Sequence, residues 1–204
     1  MRSAAPNHAQ EEALHKMREV LQEGYTTLRI ARYRLEEDFD AQRATLVCSL
    51  HEQPSGEVVT LEAQGVGLIH ALFEGLCARY ATTHDSLSSL RFTSFSVRGL
   101  VQDVQGDASV TAQAEAAVGI TNAYGVEFTF LATSPSVSQS SVEAVLAAVE
   151  YFLNSERAYV KIYDALEHYR REGRTDLVAK YTDMLSQMVR NTSYSSLVEK
   201  RSRA

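Results

Sequence analysis

The hydrophobic and polar positions along the chain change period several times, and each change predicts a new element. Between residues 8 and 23, apolar residues recur at spacings of three and four, which predicts an amphipathic helix with Gly24 as its C-terminal cap. From Leu28 onward the apolar residues alternate with polar ones, as in strands that bury one face. The predicted strands of this region are 28–37, 44–53 and 57–64.

The third strand is followed by a glycine-flanked turn, Gly65-Val66-Gly67, where the period returns to three and four. A broad apolar stripe at helical spacing predicts a helix that lies on the preceding strands. The stripe consists of Leu68, Ile69, Leu72, Phe73, Leu76 and Cys77.

The same order of segments then begins again at Leu90. Three further strands are predicted at 90–101, 108–120 and 126–134, with a turn at Asp103–Asp107. A helix over Ser140–Leu153 follows, with Ser138 or Ser140 as its N-cap. The repeat predicts a two-layer α+β fold built from a duplicated β-β-β-α unit, with the two copies related by a pseudo-twofold axis.

The last fifty or so residues have a helical pattern only. Ser155 and Thr175 are candidate N-caps for two helices that Gly173 separates, which predicts an αα-hairpin. Its tyrosines either form an interface or pack the hairpin on its own domain; they are Tyr151, Tyr159, Tyr163, Tyr169 and Tyr181. The domain division is therefore 1–27 for the N-terminal helix, 28–154 for the duplicated unit and 155–204 for the hairpin and tail.

Composition narrows the range of functions. The net charge of −6 argues against nucleic-acid binding, because phosphate neutralisation supplies most of the affinity for nucleic acids. No apolar run approaches the roughly 20 residues of a membrane-spanning helix, and the N-terminus lacks the apolar core of a signal peptide. We therefore expect a cytoplasmic protein that does not bind a membrane.

Neither cysteine lies in a metal-binding pattern, and the six histidines are scattered. No nucleophile, base or phosphate-binding loop is recognisable, so the sequence predicts no catalytic residues, no metal and no cofactor. Gly65–Gly67 could present backbone N–H groups to a ligand carboxylate, or be only a close-packed turn. His70 could contact that ligand, or be a half-buried structural residue. The serines near the second helix could line a polar pocket, or form a loop and a helix cap.

Taken together, the segments LRIARYRL, GVGLIHALFEGL, LRFTSFSV with GDASV, and SVSQSSVEAVLAAVEYFLN carry a resemblance. Their order and spacing, over about residues 28–154, resemble the C-terminal regulatory (dimerisation) domain of α-isopropylmalate synthases and citramalate synthases. Two positions depart from the family pattern: Leu68 stands where the family usually has proline, and His70 where it usually has an acid.

The resemblance implies a domain that senses leucine or isoleucine near its helix N-termini and its dimer interface. The ligand-binding residues it implies are Gly65, Val66, Gly67, Ile69, His70, Ser136, Ser138 and Ser140. Because the catalytic barrel of the synthases is not in this sequence, we expect a stand-alone, non-enzymatic, homodimeric domain that acts on a partner enzyme in trans. The alternative is a ligand-free dimerisation or protein-interaction module.

Overall fold

The computed structural model describes residues 8–102 and 111–189. Its helices are α1 (His8–Leu21), α2 (Leu68–Ala81), α3 (Val137–Arg171) and α4 (Thr175–Val189). Its strands are β1 (Thr27–Asp38), β2 (Arg43–Gln53), β3 (Val58–Gly65), β4 (Arg91–Gln102), β5 (Thr111–Thr121) and β6 (Glu127–Ser134). Short 3-10 turns occupy Gln22–Gly24 and Asp85–Ser89. The predicted turn at Asp103–Asp107 lies outside the described residues.

The strands form two antiparallel sheets, with the orders β1-β2-β3 (sheet 1) and β4-β5-β6 (sheet 2). Helix α2 packs on sheet 1 and α3 on sheet 2, while α1 and α4 both pack on α3. The predicted α+β fold with a duplicated β-β-β-α unit is therefore confirmed. We call β1–β3 with α2 unit 1, and β4–β6 with α3 unit 2.

The core follows the predicted periods. On β2, Leu46, Cys48 and Leu50 alternate with half-exposed residues and are buried under α2. The apolar stripe of α2 supplies the opposite side of this layer, with Leu72 and Leu76 fully buried. Burial of apolar surface stabilises by about 25 cal/mol per Å², and on this scale it is what chiefly holds each helix to its sheet.

The predicted break between two helices near residue 154 is wrong, because α3 runs without interruption for 35 residues. Ser155 is not an N-cap but a fully buried residue in the middle of α3. The N-cap of α3 is Ser136, whose Oγ accepts a hydrogen bond from Gln139 N at 3.3 Å, so Ser138 and Ser140 do not have this role. Polar residues suggested a helix end here, but two of them, Asn154 and Glu156, bind segments next to unit 1.

Three polar contacts, two of them buried, join α3 to the start of β1 and to the residue before it. Asn154 accepts from Thr26 N through Oδ1 at 2.8 Å and donates to Thr26 O through Nδ2 at 2.7 Å. One turn earlier, Glu150 Oε1 accepts from Leu28 N at 2.6 Å. The two side chains thus pair with the start of edge strand β1 much as a neighbouring strand would, which satisfies backbone groups that would be costly to bury alone.

The N-terminal helix ends earlier than predicted. Helix α1 stops at Leu21, and the left-handed residue that follows it is Gln22, with φ of 51°, rather than Gly24. At the other end of the chain, Tyr159 stacks on Tyr163 and Tyr169 on Tyr181, with ring centroids 6.4 Å and 5.4 Å apart. The stack of Tyr169 on Tyr181 joins α3 to α4, whereas Tyr159 and Tyr163 both lie on α3. These contacts within the chain favour the second of the two roles considered for the tyrosines.

Candidate functional site

The start of α2 lies over one corner of sheet 1, where the ends of three strands meet. Strand register places Glu37 opposite Ala44, and Ala44 opposite Gly65. Residues opposite each other in antiparallel strands point to the same face, so these three form one row across the sheet. Ala44 is fully buried, which identifies this face as the one that α2 covers.

Gly65 is the residue on which α2 sits most closely. A Cβ built on it would lie 2.5 Å from the backbone N of Ala71 and 2.7 Å from Nδ1 of His70. No real Cβ tolerates such distances, so glycine is required here by the close approach of the helix. Gly67 is under no such constraint, because a Cβ there would meet only Oε1 of Glu37, at 3.6 Å.

The first turn of α2 has no side-chain cap. Gly67 is its N-cap residue, with an extended backbone, and its carbonyl accepts the first helical hydrogen bond, from Ala71 N at 2.9 Å. The N–H groups of the first turn are therefore left for water or for a ligand. The carboxylate of Glu37 lies beside these donors, with Oε1 3.6 Å from the position that a Cβ on Gly67 would take. A small molecule with both an anionic and a cationic group could contact the N–H groups and this carboxylate.

The other predicted residues of this group differ in accessibility. Val66 is 69% exposed, and Ile69 is partly buried against the core. His70 is exposed, with Nε2 4.0 Å from Oε1 of Glu74 on the next turn. This pair is too open to contribute much stability, so the histidine ring is available at the surface.

The predicted serines lie at the start of α3 and bond mainly to their own turn. Ser134 Oγ donates to Ser136 O at 2.8 Å and accepts from Ser136 N at 3.0 Å. Ser140 is fully buried, and its Oγ donates to Val137 O at 3.0 Å. Ser138 is half-buried. These hydroxyls are already engaged in shaping the turn, unlike the donors at the start of α2.

The structure therefore brings Gly65, Gly67 and His70 together with Glu37, within unit 1. The contacts of the serines stay within unit 2, so the two predicted groups are not joined by the hydrogen bonds described here. Glu37 was not among the site residues predicted from the sequence, where it falls at the end of the predicted strand 28–37. Glu37 is two residues after Leu35 on the same strand, which places both on the inner face of the sheet. Only the strand register and the position of α2 show that Glu37 lies beside Gly67.

The first strand of each sheet, β1 or β4, is an edge strand that leaves apolar side chains uncovered on the face that carries the helix. On β4, Phe95 and Val97 pair with buried residues of β5, yet they are 42% and 38% exposed. On β1, Tyr33 pairs with buried Cys48 and is 37% exposed. Each sheet has one helix, which covers its second and third strands more fully than its first. We call these exposed strips the β1 strip and the β4 strip.

The described residues offer little for catalysis. They contain no group of three or more His, Cys, Asp or Glu side chains that could hold a metal ion. Burial raises the pKa of Cys48 to about 11 and that of Cys77 to about 12, so neither thiol is ionised enough at neutral pH to be a good nucleophile. Within the same residues, every helix is too short or too polar to cross a membrane.

Comparison with known proteins adds one match. The family model of the LeuA allosteric (dimerisation) domain matches residues 9–153, which include α1, unit 1 and α3 as far as its middle. The match thus extends beyond the segments in which the resemblance was first noted, and takes in the N-terminal helix. No curated protein matches the chain.

Proposed function

The chain belongs to the family of LeuA allosteric (dimerisation) domains, and on that basis we propose that it is a non-catalytic regulatory module that forms a homodimer and binds a small branched amino acid. A regulatory and dimerisation role is the family's own description. The ligand, the homodimer and the action on a partner enzyme in trans are our proposals. The observation that carries the ligand proposal is the uncapped first turn of α2 beside the carboxylate of Glu37.

The proposed homodimer uses the β1 strip and the β4 strip. Phe95 and Val97 leave apolar surface in water on a face whose other strands are covered by α3. A second copy that packs on this face would bury that surface, and a twofold interface needs only one self-complementary patch. The exposed edges of β1 and β4 would then also be protected from non-specific strand pairing.

A charge placed in the interface tests this arrangement. We expect Val97→Asp to convert the dimer to a monomer, measured by sedimentation equilibrium, because the carboxylate would be buried without a partner. Val126→Asp is the matched control, since Val126 is 40% exposed, close to the 38% of Val97, but precedes β6 on the hairpin side. Equal effects of the two changes, or a wild-type monomer at all concentrations, would contradict the proposal.

The proposed ligand site is the start of α2. A free amino acid carries a carboxylate that the uncapped N–H groups can bind and an ammonium that Glu37 can bind. Val66, which is 69% exposed, and partly buried Leu68 offer apolar contacts for a branched side chain. The acid that the resemblance led us to expect at position 70 is thus replaced, in our proposal, by an acid from β1.

Thermal stability in the presence of leucine, isoleucine and branched 2-oxo acids tests the site. At 100 times its dissociation constant a ligand adds about 2.7 kcal/mol, or roughly 5 to 10 °C for a chain of this size. We expect Glu37→Gln to abolish the shift given by the amino acid. Glu36→Gln is the control, because Glu36 pairs with Thr45 and points to the opposite face of the sheet.

The alternative function is a dimerisation module that binds no amino acid. One observation favours it: the position in unit 2 that corresponds to Glu37 is Gly99, in the row Gly99–Ala114–Ser134, so the duplicated site has lost its carboxylate. No thermal shift with any of these compounds, in a protein that remains a dimer, would establish the alternative over the sensor.

A further inference from the structure

A polar cleft opens at the other end of sheet 1, away from the start of α2. It has a volume of about 470 Å³ and lies between the β2–β3 hairpin, the C-terminal end of α2 and the middle of α3. A second cavity of about 510 Å³ continues it along α3 and shares Thr83, His84 and Arg157 with it. Volumes of roughly 300 to 1,000 Å³ are typical of small-molecule sites.

The acids that line this cleft already have hydrogen-bond donors. Glu52 Oε2 accepts from the hydroxyl of Tyr80 at 2.9 Å, and Glu57 Oε1 accepts from Arg79 Nη2 at 3.1 Å. Glu156, in the adjoining cavity, accepts two hydrogen bonds from one serine, at 2.9 Å and 2.5 Å. These carboxylates are thus engaged by the protein itself.

The cationic side chains keep unused donors. Arg157 is half-buried and donates from Nη1 to the Thr26 hydroxyl, which leaves most of the five N–H groups of its guanidinium without a protein partner among the described residues. Nε of Arg79 is buried and has no partner there either. Nδ1 of His84 lies 2.8 Å from the hydroxyl of Thr83, and the ring lines both cavities. The N–H groups of Arg157 are therefore the donors that this cleft can offer a ligand.

We propose that the polar cleft binds a small molecule through one carboxylate or phosphate group, held by Arg157 and His84. The planar guanidinium matches the two oxygens of either anion. The carboxylates of Glu52 and Glu57 on the hairpin side oppose a highly charged ligand. Leu153, which also lines the cleft, offers an apolar contact for a short body. This site is separate from the start of α2 and does not depend on the proposed amino-acid site.

Binding in this cleft is coupled to protonation. Burial lowers the pKa of His84, as does the charge of Arg157, while Glu156 and Glu52 act in the opposite direction. Of the other charged groups along α3, Lys161 donates to the carbonyl of Val20 at 2.8 Å, and Asp164 lines the adjoining cavity. In the free protein His84 therefore holds a proton less readily than an ordinary histidine, and a bound oxyanion raises its pKa. Affinity for the anion then increases as the pH falls. The total increase is up to about tenfold for each unit by which the bound anion raises the pKa of His84.

Calorimetric titration with inorganic phosphate and with malonate, at pH 6 and pH 8, tests the proposal. We expect one of them to bind, more tightly at pH 6, and at least about tenfold more weakly to Arg157→Gln. Arg170→Gln is the matched control, because Arg170 is an exposed arginine on the same helix that bonds only Glu167. Binding of phosphate alone or malonate alone identifies the anion that the site prefers.

A second measurement remains valid if Arg157→Gln does not fold. NMR titration of the wild-type histidines, with the His84 signal assigned by its loss in His84→Asn, follows the pKa of His84 directly. We expect the pKa of His84 to be higher when phosphate or malonate is present. The increase should be smaller in Arg157→Lys, because lysine keeps the positive charge but lacks the planar guanidinium that binds two oxygens at once. The proposal is overturned if neither ion binds or moves this titration, or if the effect is the same in the Arg157 and Arg170 variants.

Discussion

Helix α2 ends after 14 residues at Ala81, whereas α3, its counterpart in unit 2, continues for 35 residues to Arg171. At the end of α2, the hydroxyls of Thr82 and Thr83 cap the helix by donating to its last carbonyls, at 2.9 Å and 3.3 Å. Helix α3 has Tyr151 and Phe152 in the corresponding region, and both pack on β6 aromatic rings instead. The second helix therefore passes the point at which the first one stops.

The contacts that α3 makes beyond that point explain why it is longer. Asn154 and Glu156 are buried there, and each binds backbone N–H groups of segments that flank unit 1. The extension thus joins the two units through hydrogen bonds rather than through a shared sheet. A duplicated fold has become asymmetric because one copy of the helix serves both copies of the sheet.

The N-terminal ends of the two helices also differ, and here α2 is the helix without a side-chain cap. Unit 1 has Gly65 and Gly67 where unit 2 has Ser134 and Ser136, so that α3 is capped by a side chain and α2 is not. Unit 2 therefore uses its donors within its own structure, which stabilises the helix by about 1 kcal/mol. Unit 1 leaves them free, which is the arrangement expected where a ligand is to be bound.

The largest expected effect comes from breaking the connection between the units. We expect Asn154→Leu to reduce the free energy of unfolding by about 3 to 5 kcal/mol, because it leaves N and O of buried Thr26 without partners at about 1 to 3 kcal/mol each. Urea denaturation at fixed protein concentration measures the change.

The neighbouring residue provides the control for this experiment. Ser155 is equally buried, but its Oγ has no hydrogen-bond partner among the described residues. Ser155→Ala should therefore be neutral, or stabilise by up to about 1 kcal/mol, since it removes an unsatisfied hydroxyl. A small effect of Asn154→Leu, similar to that of Ser155→Ala, would show that the hydrogen bonds between Asn154 and Thr26 contribute little to holding the two units together.

The next largest effect concerns the helix start of unit 1. We expect Gly65→Ala to destabilise the protein by about 2 to 4 kcal/mol, because the new Cβ would lie 2.5 Å and 2.8 Å from backbone atoms of Ala71, so that the helix must move. Gly67→Ala should change stability by less than about 1 kcal/mol, because its Cβ meets only a flexible carboxylate. Thermal denaturation of both variants distinguishes them, and equal losses would mean that the close approach is not what requires glycine at position 65.

The spacing of hydrophobic residues along the chain was enough by itself to predict most of the fold. The six strands and the face of α2 follow from alternation and helical spacing, because burial of apolar surface contributes most to the stability of each of them. The pattern could not predict that α3 is continuous. Asn154 and Ser155 resemble a helix end in sequence, and only the tertiary partner Thr26 makes a buried asparagine favourable inside a helix.

The candidate site, too, could be predicted only in part from the local sequence. The turn at Gly65–Gly67 could be found from its glycines, but Glu37 could not be added to it, because the two are separated by a complete hairpin. Arg157, in the polar cleft, was equally hidden within what looked like the first turn of a separate helix. Local patterns predict elements, whereas a site depends on register and on which helix covers which strand.

The smallest expected effect depends on pH and concerns Glu150, which also joins α3 to β1. Burial raises the pKa of this carboxyl from 4.5 to about 7, against the opposing effects of the hydrogen bond from Leu28 N and the charge of Arg18. Between these two values the folded protein binds more protons than the unfolded chain, so its stability falls as the pH rises from about 4.5 to 7. We expect this side chain to account for about 1 to 3 kcal/mol of that loss.

Glu150→Gln keeps an oxygen that can accept from Leu28 N but cannot ionise. Its unfolding free energy, measured in urea between pH 5 and pH 8, should decline less steeply than that of the wild type, and the variant should be the more stable protein at pH 8. Glu143→Gln, on the first turns of the same helix where Glu143 bonds Gln139, is the control for adding an amide to α3. A wild-type slope in Glu150→Gln would mean that the carboxyl of Glu150 does not cause the pH dependence, and that burial does not raise its pKa in the folded protein.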